Sequence, residues 1–91
     1  MSVTIRIPTP LRSVTNGVDK VEVEGNTLSE AIDALEIQFP GVQERLMDET
    51  GELRHFVNIY VNGEDVRFLD GLGTSIKSGD EVSVVPAVAG G

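Results

Sequence analysis

Apolar and polar positions alternate from the start of the chain, where Val3, Ile5 and Ile7 are interleaved with Thr4 and Arg6. A period of two marks a strand with one buried face. Pro8 and Pro10 end it, and a loop runs to the turn dipeptide Asn16-Gly17. Val21 and Val23 then alternate with Glu22 and Glu24, which predicts a second strand pairing with the first as an antiparallel hairpin with a long loop. After Gly25-Asn26 the period changes. Leu28, Ala31, Ile32, Leu35 and Phe39 recur at helical spacing as one apolar stripe, with Ser29, Glu30, Asp33 and Glu36 on the solvent side. Thr27 and Glu30 match a capping box, and Pro40-Gly41 stops the helix. Val42 and Leu46, four apart, predict a further short turn of helix.

Asp48 to Glu52 is polar and reads as a loop, whereas Phe56-Val57-Asn58-Ile59-Tyr60-Val61 is the strongest strand signal in the chain. Asn62-Gly63 predicts a hairpin turn, and Glu64-Asp65-Val66-Arg67-Phe68 a short return strand. Asp70 to Asp80 is a glycine-punctuated loop with Ile76 as its anchor, and Glu81 to Val85 is the last strand, with Pro86 ending its regular pairing. The order strand, strand, helix, strand, short strand, strand predicts an α+β fold with one helix on one face of a mixed sheet. The helical stripe then packs on Val57, Ile59, Val61, Val82 and Val84. Phe56, Asn58, Tyr60, Ser83 and Val85 fall on the uncovered face.

Ninety-one residues allow one small domain. Cysteine is absent, which excludes a disulfide scaffold, a thiolate metal site and a cysteine nucleophile; the lone histidine, His55, excludes a His-rich metal cluster. A net charge of −8 disfavours nucleic acid and anionic membranes as partners. It suits a basic docking site on another protein, or serves solubility alone. The chain runs straight into a strand and has no long apolar run, so neither a secretory signal nor a membrane span is expected, and the cytoplasm is the default location.

Gly71-Leu72-Gly73-Thr74-Ser75 lacks the Lys-Ser/Thr ending of a phosphate loop and reads as a structural turn. Asp48, Glu49 and Glu52 do not have calcium-loop spacing and read as a solvated acidic loop. His55 reads as a strand-edge residue. No convincing catalytic constellation remains, so the chain is expected to be no enzyme and to bind no metal or cofactor of its own. The last residues, Pro86-Ala87-Val88-Ala89-Gly90-Gly91, shrink in size after the last strand; alone they are compatible with a frayed terminus.

Joined to the element order, that ending resembles the β-grasp sulfur-carrier family, relatives of ubiquitin that include the MoaD and ThiS proteins. The resemblance covers essentially the whole chain and is nearest to the CysO type, the carriers for cysteine biosynthesis in mycobacteria. It rests on Glu44-Arg45-Leu46-Met47-Asp48, Phe56 to Asn62, Glu64 to Phe68, and Gly79-Asp80 through Gly91. It implies a ubiquitin-like β-grasp domain over residues 1–85 with a four- to five-stranded mixed sheet, and a flexible Gly-Gly tail over residues 86–91.

The resemblance also implies the chemistry. An E1-like adenylating enzyme of the MoeB/ThiF kind uses ATP to activate the Gly91 carboxylate, and a sulfur donor displaces AMP to leave a thiocarboxylate. The sulfur then passes to a pyridoxal-phosphate-dependent cysteine synthase, and a zinc metalloprotease releases cysteine from the carrier. Gly90 and Gly91 lack the Cβ that a narrow channel would exclude. Ala87, Val88 and Ala89 follow them into partner active sites, and Pro86 stiffens the exit. Ending at Gly91, the chain is expected to need no trimming and to act as a monomer. An apolar cluster of Phe56, Tyr60 and Val85 beside the tail would be a docking face. The same activated carboxylate would also serve a small subunit for molybdopterin or thiamin synthesis, or a ubiquitin-like protein modifier. The internal blocks favour the cysteine carrier.

Overall fold

Side-chain alternation along the strands decides which face the single long helix covers. The computed structural model describes residues 2–54 and 57–86. Its strands are β1 (Val3–Arg6), β2 (Lys20–Val23), β3 (Val57–Val61), β4 (Glu64–Asp65) and β5 (Glu81–Pro86), with helices α1 (Leu28–Gln38) and α2 (Val42–Leu46). They form one five-stranded sheet in the order β2-β1-β5-β3-β4. β1 and β5 run parallel, and the other neighbours are antiparallel. The hairpin expected from the first two strands is present, pairing Val3 with Val23 and Ile5 with Val21.

The inward residues of the sheet, from Val3 and Ile5 through Ile59 and Val61 to Val82 and Val84, are all buried with Leu28, Ala31, Ile32 and Leu35 of α1. Leu35 is wholly inaccessible. Phe39 ends the stripe as a half-buried residue at the C-cap. Val42 and Leu46 are buried on α2, as their spacing predicts. Thr27 Oγ1 accepts from the Glu30 amide at 3.3 Å, a contact worth about 1 kcal/mol at an N-cap. The reciprocal half differs from the expected box: the Glu30 carboxylate accepts from the Asn26 amide, one residue earlier. Glu36, expected on the solvent side, is only half exposed. Its carboxylate accepts from the amides of Gly41 and Gln43 and so caps α2.

Asn62 and Gly63 both have positive φ, 51° and 89°, as a two-residue hairpin turn with right-handed twist requires. The strand after that turn is the main departure from expectation. Only Glu64–Asp65 pairs with β3, and Val66–Phe68 is a 3-10 turn. Asp65 Oδ1 accepts from the Arg67 amide at 2.9 Å, and this local bond turns the chain out of the ladder. Ile76 anchors the following loop, as expected, at 5% exposure.

The turn is also tied to the start of β5. Asn62 Nδ2 donates to Asp80 Oδ1 at 3.0 Å, the Lys77 amide donates to Asp80 Oδ2 at 2.9 Å, and Asn62 Oδ1 accepts from the Glu81 amide. The Asn62 side chain, followed by the Lys77 amide, holds the Asp80 carboxyl below its ordinary value of 3.8. A lowered carboxylate pKa stabilises the fold above the unfolded value, and the gain is lost as pH falls through the folded one. Asp80→Asn is therefore expected to be less stable than the native chain at pH 7. The gap in urea midpoints should narrow below about pH 3.8; a gap unchanged between pH 7 and pH 3 would refute the assignment.

Candidate functional site

β5 lies at the centre of the sheet, flanked by β1 and β3, so whatever follows it leaves from the middle of one rim. At that rim Val85 pairs with Asn58 and Pro86 with Val57. The Val57–Pro86 pair is a non-hydrogen-bonded one, since the Val57 amide and carbonyl are taken on the opposite edge by Arg54 and Arg67, so Asn58–Val85 is the last bonded pair between β3 and β5. The parallel neighbour β1 ends on the same rim at Arg6, which is level with Ser83. Ala87, Val88, Ala89, Gly90 and Gly91 lie outside the described residues, as do His55 and Phe56.

The registers also define the face that α1 leaves open. Across it run Lys20 and Glu22 of β2, Thr4 and Arg6 of β1, Glu81, Ser83 and Val85 of β5, Asn58 and Tyr60 of β3, and Asp65 of β4. Tyr60 is half-buried between Ser83 and Asp65, and Val85 is exposed beside Asn58. The structure therefore brings Tyr60 and Val85 onto one face next to the tail's point of departure. Their setting is polar, with Arg6 paired to Glu81 at 3.5 Å. Hydrophobic anchors within a polar rim are the usual anatomy of a transient interface.

Two residues on the turn after β4 were not singled out by the sequence reading. Arg67 Nη2 donates to the carbonyls of Val57, at 2.7 Å, and Arg54, at 3.2 Å, while Nη1 donates to Asn58 Oδ1. Phe68 is 87% exposed. Asp65, two residues before Arg67, was the available signal, because a short acceptor at that spacing favours a turn over a strand.

The remaining candidates resolve as structural features. Gly71–Gly73 is a 3-10 turn closed by Thr74 Oγ1, which donates to the Gly71 carbonyl at 2.7 Å. Asp48 Oδ1 accepts from the hydroxyl and amide of Thr50 and from the Glu52 amide, and the Thr50 bonds hold its carboxyl below the ordinary value. Among the described residues no group of three or more His, Asp or Glu is placed to hold a metal. Nor is any helix among them long and apolar enough to cross a membrane.

Comparison with known proteins bears directly on this arrangement. The profile of the ThiS family matches residues 5–91. The chain belongs to the ThiS family. It is 54% identical to the sulfur carrier protein CysO of Mycobacterium tuberculosis (strain ATCC 25618 / H37Rv) over 93 aligned positions, covering all of both chains. A putative sulfur carrier protein of Archaeoglobus fulgidus is 41% identical, again over all of both chains. Among solved structures, the Amycolatopsis orientalis BexX/CysO complex matches with a TM-score of 0.93 and 48% identity, over 98% of this chain and 99% of that one. Mycobacterium tuberculosis CysO matches with a TM-score of 0.90 and 52% identity, over 94% and 99%. The β-grasp fold and the resemblance to ThiS/MoaD sulfur carriers of the CysO type thus hold. So does the expectation of a carrier protein as opposed to an enzyme.

Proposed function

We propose that this ThiS-family protein carries sulfur as a thiocarboxylate on Gly91 and delivers it for cysteine biosynthesis. The observation that carries the reading is the end-to-end match to proteins named sulfur carrier, at 54% identity over the full chain. Support comes from the tail's root on the central strand of the sheet.

In this reading the Gly91 carboxylate attacks the α-phosphate of ATP on an E1-like enzyme and releases pyrophosphate. A sulfide donor attacks the acyl carbon of the adenylate, AMP leaves, and –COS⁻ remains. The carrier supplies no acid or base; its contribution is a slim, correctly placed nucleophile. The thiocarboxylate then transfers its sulfur on a pyridoxal-phosphate-dependent cysteine synthase, and a zinc metalloprotease releases the product. ATP serves the activating enzyme, and the carrier itself holds no cofactor. The work belongs in the cytoplasm, where thiols stay reduced. A CysO relative has been captured in complex with BexX, which supports a carrier that docks on partner proteins.

Intact mass spectrometry of the protein from its native host tests the reading. Exchange of one terminal oxygen for sulfur, or a cysteine joined at Gly91, supports it. A second reading has its own observation: SAMP1 of Haloferax volcanii matches with a TM-score of 0.84 and 31% identity over both whole chains, and a relative of that organism is named small archaeal modifier protein 1. Recovery solely as conjugates to lysines of other proteins would favour that reading.

Tyr60 and Val85 form the docking face of the carrier in this account. Tyr60→Ala is expected to raise the KM for adenylation about ten-fold, the cost of truncating an interface anchor. Its unfolding transition should stay two-state. Unchanged adenylation kinetics would remove the face from the account.

A further inference from the structure

The return strand stops at Asp65, which leaves the outer edge of β3 without a strand partner at Val57 and Asn58. The side chain of Arg67 lies along this stretch. Its guanidinium donates to the Val57 carbonyl at 2.7 Å, to the Arg54 carbonyl at 3.2 Å and to Asn58 Oδ1. A planar fork of five donors suits such a row of acceptors, of which a lysine ammonium could meet only a part. The fork is itself held from behind. Val66 is wholly buried, and Asp65 Oδ1 accepts from the Arg67 amide at 2.9 Å.

The same two residues carry the tail's root on their other side, since Val57 pairs with Pro86 and Asn58 with Val85. Val57–Pro86 is a non-hydrogen-bonded pair, so Asn58–Val85 is the last one joined by backbone bonds. Beyond Asn58–Val85, the fork on the Val57 and Arg54 carbonyls is what fixes the end of β3. We infer that Arg67 is a positioning residue for the acylation of Gly91: it fixes the end of β3 on which the last residues of β5 are paired, and so sets where the terminal carboxylate can reach. The inference rests on Gly91 being the reacting end. From Pro86, five residues span at most about 17 Å when extended. Release of Val85 and Pro86 would lengthen the stretch between the sheet and Gly91 and blur its direction, which lowers the effective concentration of the carboxylate at the partner's site.

The test compares Arg67→Ala and Arg67→Lys with the native chain in two measurements. Hydrogen exchange should accelerate at residues 57–60 and 83–85 and stay unchanged across α1. In ATP–pyrophosphate exchange with the E1-like enzyme, kcat should fall about ten-fold for Arg67→Ala with KM nearly unchanged, as loss of orientation predicts. Arg67→Lys should recover part of the loss. A purely structural role would lower the melting temperature and leave the kinetics of the folded protein alone. Should Arg67→Ala fail to fold, Asn58→Ala removes one acceptor of the fork and gives the same pair of readouts. The inference is overturned by local opening with native kcat, by a loss of kcat without local opening, or by a rise in KM alone, which would make Arg67 a docking contact. If the native chain gives no exchange with the enzyme, the proposed function fails. The hydrogen-exchange comparison still reports on the fork in that event.

Discussion

Deletion of Gly91 is expected to abolish ATP–pyrophosphate exchange with the proposed E1-like partner and to leave the unfolding transition of the domain where it was. In the proposed function the reacting group on the carrier is the terminal carboxylate, and deletion withdraws it by one residue, about 3.5 Å. Reacting atoms must approach to roughly 3–3.5 Å, and a 1 Å misplacement can cost about 100-fold. Withdrawal by several ångströms therefore removes the reaction, since no side chain of the carrier supplies a substitute nucleophile. Stability is expected to be unaffected, because among the described residues the core is complete without the tail, with Val84 its last member on β5. A change within about 0.5 kcal/mol is expected, typical of substitutions far from packed or capped positions. Gly91→Ala keeps the length and adds a Cβ; it should retain measurable exchange at a reduced rate. A chain lacking Gly91 that is still loaded with sulfur would overturn the proposed function.

The fold was legible wherever one residue's neighbours in sequence determine its surroundings. The strand alternation at Val3–Ile5 and Val21–Val23, the Thr27 cap and the Asn62-Gly63 turn are all of this kind. The stretch Glu64 to Phe68 was misread because its alternation of Val66 and Phe68 is compatible with a strand. The deciding interactions lie elsewhere: the Asp65 side chain turns the chain, and the Arg67 side chain takes the place of ladder bonds along β3. Glu36 was misplaced for a similar reason. Its helical position points it away from the stripe, but the amides of Gly41 and Gln43 come back to meet it. The buried Thr15 also gave no signal, and its hydroxyl is satisfied by the Val18 carbonyl at 2.9 Å within the loop.

The candidate site divides along the same line. Tyr60 and Val85 follow from strand parity, which fixes the face of every residue once one is known to be buried. Their proximity to the tail's departure is a matter of strand order, and no local pattern encodes that β5 lies between β1 and β3. That order matters for a carrier. A terminal strand at the sheet's edge could peel away when a partner pulls on the tail, whereas β5 is held by both neighbours. In the proposed function this gives the partner a fixed root against which to draw the terminal residues into its site.

Leu35→Ala is the substitution expected to cost most stability. Leu35 sits at the middle of α1 with no accessible surface, within the cluster that joins the helix to the inward face of the sheet. Truncating such a leucine loses the transfer free energy of the removed carbons and leaves a cavity, about 2–5 kcal/mol together. Helix propensity offsets little of this, since leucine and alanine differ by only tenths of a kcal/mol. Small domains have about 5–15 kcal/mol in total, so a large share of the margin disappears. At about 4–8 °C per kcal/mol for a domain of this size, the thermal midpoint should fall by at least 8 °C. Ile37, two residues on, is 82% exposed and provides the control on the same helix. Ile37→Ala should change stability by less than about 0.5 kcal/mol. Equal losses from the two variants would contradict the placement of α1 on the sheet. Under conditions where Leu35→Ala remains folded, its adenylation kinetics per folded molecule should match the native chain, because Leu35 lies on the helix-covered side of the sheet, opposite the open face.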